Sequence, residues 1–99
     1  MAANLVIAPE AEQDLDEAYA WYEDRRIGLG EEFLSSVDAC IQFICRNPEI
    51  REVVHKSYRR ALVRRFPYAV FYEYLEGQVV VYSVFHTARE PEKWRRRLP

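Results

Sequence analysis

The sequence predicts a single α+β domain over residues 1–99: an N-terminal strand, an antiparallel helical hairpin, three antiparallel strands and a short C-terminal helical tail, in the order β-α-α-β-β-β. Three observations predict it. Apolar residues recur at helical spacing up to Asn47-Pro48. After that point the runs become aromatic and β-branched, with a turn dipeptide between two of them. The charge also changes sign there: residues 1–50 carry 11 acidic and 3 basic side chains, residues 51–99 carry 5 and 11.

The elements follow in order. Residues 4–8, NLVIA, form a short apolar strand. Pro9 suits the first position of a helix, and Glu10, Glu12 and Asp14 put negative charge where the helix dipole favours it. Ala11, Leu15, Ala18, Tyr19 and Tyr22 then mark one apolar face as far as about Arg26, with Glu12, Asp16 and Glu23 on the solvent side. Gly28 and Gly30 interrupt the pattern. A second helix starts near Leu29, carries Phe33, Leu34, Val37, Cys40, Ile41 and Ile44 inward, and ends at Asn47, because a residue before proline avoids helical geometry. So short a connection makes the helices antiparallel. Three strands follow: Tyr58–Phe66, Tyr68–Leu75 and Gln78–His86, the last two joined at Glu76-Gly77. Tyr68–Leu75 is apolar on both faces and reads as a central strand. Strict alternation in the last strand groups Val79, Val81, Ser83 and Phe85 against Val80, Tyr82, Val84 and His86. The helices cover one sheet face, leaving the other face or its rim for function.

Composition excludes several classes. A chain of 99 residues, 49% hydrophobic and 30% charged, is globular, and no apolar run is long enough to span a membrane. The opening residues turn acidic at once, unlike a secretory leader, so the expected compartment is the cytoplasm. Cys40 and Cys45 lie five apart in one helix, about 140° around its axis, and read as free core thiols. With His55 and His86 they offer no metal-ligand spacing, and no cofactor motif is present.

Twelve of the basic residues are Arg, the side chain suited to bidentate phosphate or carboxylate recognition. Arg59, Arg60, Arg64, Arg65, Arg89 and Trp94 are the candidate target-binding residues. Metal-free RNA cleavage needs a base, an acid and a cation to stabilise the phosphorane. Arg65, His86 and Arg89 are the candidates for those roles.

The opening VIAPEAEQDLDEAYAWY, the helix-ending RNPE, the stretch RRALVRRFPYAVFYEYLEGQVVVYSVFH and the closing His86-x-x-Arg89-x-Pro91-x-x-Trp94 resemble the RelE/ParE toxin superfamily over nearly the whole chain. The resemblance implies a type II toxin–antitoxin module, a plasmid-stabilisation type of toxin held silent by a cognate antitoxin and reaching operator DNA only through it. It leaves three functions open. A ParE-like member binds DNA gyrase, a RelE-like member cuts mRNA on the ribosome, and a third kind is a non-toxic binding module. RelE-like chains typically carry an arginine on the middle strand where this chain has Ala69, and lysines where it has only Lys56; this favours the ParE-like reading.

Overall fold

The computed structural model describes residues 2–88 and 96–98, and the element order is β1 (Asn4–Ile7), α1 (Pro9–Arg25), α2 (Leu29–Arg46), β2 (Val53–His55), β3 (Tyr58–Leu62), β4 (Tyr68–Leu75) and β5 (Gln78–His86). The sheet has five strands in the order β1-β5-β4-β3-β2. All neighbours are antiparallel except β1, which runs parallel to β5. The helical hairpin covers one face, α1 over β5 and α2 over β3 and β4.

The helices begin and end where the sequence places them. Pro9 opens α1 with Glu10 and Glu12 in its first turn. The inter-helix turn holds a correction. Glu23 does not face solvent: its carboxylate accepts the backbone N–H groups of Gly28 and Gly30, both at 2.9 Å. Those donors open α2, so a side chain from α1 caps its neighbour. Gly28 takes φ 90°, which a side chain would resist. Gly30 is required for a different reason, since a Cβ there would lie 2.7 Å from the Tyr19 ring and 2.9 Å from the Tyr19 carbonyl oxygen. Ordinarily Gly→Ala in a helix stabilises by up to about 1 kcal/mol. Here Gly30→Ala is expected to reverse that sign and cost about 1–3 kcal/mol, read as a lower urea midpoint, because backbone atoms of α1 must move.

Aromatic rings lock the hairpin to one end of the sheet. Tyr22 packs on Phe33 at 5.2 Å, on Phe66 at 5.0 Å and on Tyr68 at 6.1 Å between ring centroids. Phe33 meets Phe66 and Tyr68 in turn. Such pairs contribute about 0.5–1.5 kcal/mol each beyond their burial. Tyr72 is fully buried, and its hydroxyl donates to the Pro48 carbonyl, which fixes the exit of α2.

The sheet differs from the sequence expectation in three places. An additional strand, β2, pairs with β3 through the turn at Lys56-Ser57. No Gly, Asn or Pro announces that turn; Lys56 itself adopts φ 52°. The run predicted over Tyr58–Phe66 stops at Leu62, after which residues 64–67 bend and Arg65 takes φ 72°. Third, β5 does not alternate strictly. Phe71 pairs with Ser83 but Tyr72 with Val81, so Tyr82 is one residue extra. Val79, Val81, Val84 and His86 therefore share the helix-facing side. Tyr82, Ser83 and Phe85 turn outward.

That outer face is not open throughout. Tyr58, Ala69 and Phe71 are buried there under Leu98, with Val54, Tyr82 and Phe85 packed around them. The turn at Glu76-Gly77 forms as predicted, with positive φ at both residues.

Candidate functional site

A groove of about 640 Å³ opens between the outward side of α2 and the end of β3. Ala39, Cys40 and Phe43 of α2 line one wall and Leu62 of β3 the other. Leu62 is 62% exposed although it ends a strand. The Cys40 thiol donates to the Leu62 carbonyl at 3.7 Å, and burial pushes it up to about 11, so it stays protonated at neutral pH. The pairing of β2 with β3 ends at Arg59, which leaves this stretch of β3 without a strand neighbour on that side.

Arginines hold the two ends of the groove. Arg51 lies at one end with its guanidinium over the Phe43 ring, 4.9 Å from the centroid. At the other end the bend after β3 presents Arg64 and Arg65. Arg65 donates to Glu32 at 2.9 Å, and Arg26 donates to the other oxygen of the same carboxylate, also at 2.9 Å. Hydrogen bonds from Arg65 and then Arg26 hold the Glu32 carboxyl below its ordinary value. Glu31 accepts the Tyr19 hydroxyl at 3.2 Å. Arg64 has no ion pair or hydrogen-bond partner among the described residues. Both carboxylates of the groove are thus engaged, while Arg51 and Arg64 keep their charge available.

The structure distributes the sequence-predicted site residues rather than gathering them. Arg59 is a clamp: its guanidinium donates to the carbonyls of Glu49 and Arg51, at 3.1 and 2.6 Å, tying the α2–β2 connection to the sheet. Arg60 is exposed on the outer face, opposite Phe71. Arg64 and Arg65 belong to the groove. His86 is half-buried at the end of β5 with its ring edge-on to Tyr68 at 5.2 Å, and its Nδ1 accepts the Ala88 N–H. In the neutral ring that bond leaves the proton on Nε2. Arg89 and Trp94 lie outside the described residues.

On the outer face, Ala69 is 1% exposed inside the apolar cluster with Phe71, Phe85 and Leu98. Nearby, Glu73 accepts the hydroxyls of Ser57 and Tyr82. Burial, reinforced by Glu73, raises the Tyr58 and Tyr82 phenols above their ordinary values, which keeps both as donors.

One polar device has no signal in the sequence. Beyond the end of β1 the edge of β5 is uncovered, and the Asp14 carboxylate accepts the Val84 N–H at 3.0 Å. Arg97 grips both oxygens of Asp14, at 3.2 and 2.9 Å, with its guanidinium over Phe85. This pins the C-terminal turn, whose Leu98 closes the outer cluster. In the sequence Asp14 reads only as a dipole-favoured charge, and a contact spanning 83 positions leaves no local mark.

Among the described residues no group of three or more His, Cys, Asp or Glu is placed to hold a metal, and no helix is long and apolar enough to cross a membrane.

Comparison with solved structures places the fold. The Escherichia coli toxin RelE, as a double arginine-to-alanine mutant in the free state, superposes with a TM-score of 0.70 at 17% identity, covering 99% of this chain and 100% of that one. The chromosomal ParDE toxin–antitoxin system of P. aeruginosa gives 0.65 at 15% identity over 86% of this chain and 96% of that one. The Mycobacterium tuberculosis toxin–antitoxin complex RelBE2 gives 0.61 at 18% identity over 87% and 99%. At these identities the likeness is one of fold. Among curated proteins no relative matches. A family model does: the ParE toxin of the type II toxin–antitoxin system parDE matches residues 5–91. With most of its length inside that match and the same strand, hairpin and sheet, the chain belongs to the ParE toxin family of type II toxin–antitoxin modules.

Proposed function

We propose that this toxin arrests growth by holding DNA gyrase rather than by cutting RNA, that it acts in the cytoplasm, and that a cognate antitoxin silences it and carries it to operator DNA. The observation that carries this reading is the setting of Ala69. Where a ribonuclease of this superfamily would place a strand arginine, this chain buries an alanine among Phe71, Phe85 and Leu98. A developing phosphorane charge would meet hydrocarbon there instead of a cation. Arg65 does not supply the missing charge, because it is turned to Glu32. A binder needs no such constellation. It needs a few strong anchors, for which Arg and Trp are favoured, and Arg60, Arg64, Arg89 and Trp94 are the residues assigned here.

The ribonuclease reading has one observation of its own. His86 is only half-buried, so its Nε2 could serve a proton transfer. Induction in bacteria separates the two. Filamentation and a DNA-damage response with translation continuing at first, together with block of supercoiling by purified gyrase, is the expected result. Prompt collapse of translation with cut mRNA would reverse the assignment. His86→Ala should keep its toxicity. Losing a general acid or base would instead cost about 10²–10⁴-fold in rate with folding intact. Arg89→Ala or Trp94→Ala should remove toxicity by weakening target binding. Growth unaffected by soluble protein would favour the non-toxic binding module.

A further inference from the structure

The two edges of the sheet differ in how they resist a further strand. At one edge β2 has a register irregularity between Val53 and His55, with Arg51, Glu52 and Lys56 beside it. A bulge and nearby charge both discourage pairing. At the other edge β1 is regular along its length, and residues 2–9 carry no charged side chain. Leu5 and Val6 are 39% and 41% exposed there. Even-numbered positions hold β1 to β5, as Asn4 and Ala8 donate to the Gly77 and Val81 carbonyls. Strand geometry therefore turns the N–H and C=O groups of Leu5 and Ile7 outward. Among the described residues no backbone group outside β1 bonds to them.

These outward groups complement a second copy of themselves. In an antiparallel pair, Leu5 set opposite Ile7 of a second copy exchanges both backbone bonds with it, and Ile7 does the same with Leu5. The two-fold axis then passes between Val6 and Val6 of the second copy. Leu5 and Ile7 are in register with Val79 and Val81 on the helix-facing side, and Val6 with Val80 on the outer side. Both faces of such a join are apolar. The β5 strands of the two copies would lie three strand spacings apart, about 14 Å. Packed helices need about 10 Å, so the α1 helices over β5 clear each other. What opposes the approach is charge, because the exposed side of α1 carries Glu10, Glu12, Asp16 and Glu17.

We propose that β1 is a self-association edge: two copies of the chain pair through it, antiparallel about a two-fold axis at Val6, and join their sheets into one. The pairing is independent of how the toxin acts on its target.

Sedimentation of the purified chain over a range of concentrations, together with cross-linking, tests it. The chain should pass from monomer to dimer as its concentration rises, and added salt should strengthen the dimer by screening the α1 carboxylates. Val6→Cys chains should cross-link to each other under mild oxidation, because opposed residues at a non-hydrogen-bonded site lie about 4.5 Å apart between Cα atoms, within disulfide reach. Val53→Cys, on the other edge, should not, and peptide mapping separates the new thiols from Cys40 and Cys45. Leu5→Pro should abolish the dimer, since it removes an outward donor that the ladder to β5 does not use. Val6→Lys should do the same with the backbone intact, by setting like charges opposite each other at the axis. A melting curve on each variant shows that it is folded. A chain that stays monomeric at every concentration would overturn the proposal. So would a dimer that survives both Leu5→Pro and Val6→Lys, or equal cross-linking of Val6→Cys and Val53→Cys. Protection of the Val6→Cys thiol from alkylation by full-length antitoxin, in a chain that is monomeric alone, would overturn it in favour of the antitoxin on that edge.

Discussion

Phe33→Ala is expected to lower the stability of the chain by about 3–5 kcal/mol, the range for removing a fully buried aromatic side chain. Phe33 is 0% exposed and sits where the hairpin meets the sheet, in ring contact with Tyr22, Phe66 and Tyr68. Phe66 lies in the bend after β3 and Tyr68 opens β4, so the cavity would loosen the bend that carries Arg64 and Arg65 as well as the hairpin. A domain of this size has about 5–15 kcal/mol in total, so the variant should melt far below the parent or be partly unfolded at about 37 °C. Phe43→Ala is the control. Phe43 lies on the same helix but is half-buried in the groove wall, and its truncation should cost about 1 kcal/mol or less. Urea midpoints of the two variants decide the matter. Equal losses would mean that the ring cluster does not organise the core as described.

Asp14→Ala is expected to cost about 2–3 kcal/mol, more than its place on a helix surface would imply. The substitution leaves the Val84 amide without its acceptor and Arg97 without its anion, and an orphaned part-buried donor alone costs about 1–3 kcal/mol. Arg97→Ala should cost less, about 1 kcal/mol, because Asp14 keeps the amide bond and the outer end of the pair is partly in water. Asp14→Asn should fall between them, since an amide oxygen still accepts from Val84. Two measurements accompany the melts. Hydrogen exchange at Val84 should quicken in Asp14→Ala alone, and trypsin should cut at Arg96 and Arg97 faster in Asp14→Ala, and at Arg96 faster in Arg97→Ala. Identical costs for Asp14→Ala and Arg97→Ala would show that the amide contact contributes nothing.

What can be read ahead of the structure is whatever has a local cause. Pro9, the Gly28–Gly30 break and Asn47-Pro48 each act on the backbone beside them, and both helices form between them as predicted. Glu76-Gly77 likewise specifies its hairpin. β2 is not legible because its turn depends on Lys56 at positive φ, a conformation that Gly or Asn would announce and lysine does not. The roles of Glu23 and Asp14 are hidden because a carboxylate that caps a distant amide looks, in sequence, like any solvated acid. The arginines stand out as a group, but their division does not. One becomes a backbone clamp, one pairs with Glu32, and one has no such partner among the described residues, according to what the fold places opposite each. Alternation misleads for the groove. Phe43 and Leu62 fall off the predicted inward faces, and two off-pattern apolar residues on different elements carry meaning only when the fold brings them together.

The extra residue in β5 acts as a phase shift. Upstream of Tyr82 the odd-numbered side chains point to the helices, and downstream the even-numbered ones do. One strand therefore carries two reading frames, and the half that holds Val84 and His86 takes its facing from a single inserted position. Straightening the strand at Tyr82 with every residue kept would send Phe85 toward the helices and His86 to the face where Ala69 lies, whereas deleting Tyr82 would leave Ser83 opposite Phe71 and both facings unchanged. Loss of that bulge with the residue count kept would relocate the chain's strand-end histidine from one side of the sheet to the other without altering the histidine itself, a route by which related chains of the same fold could trade a packing residue for a reactive one.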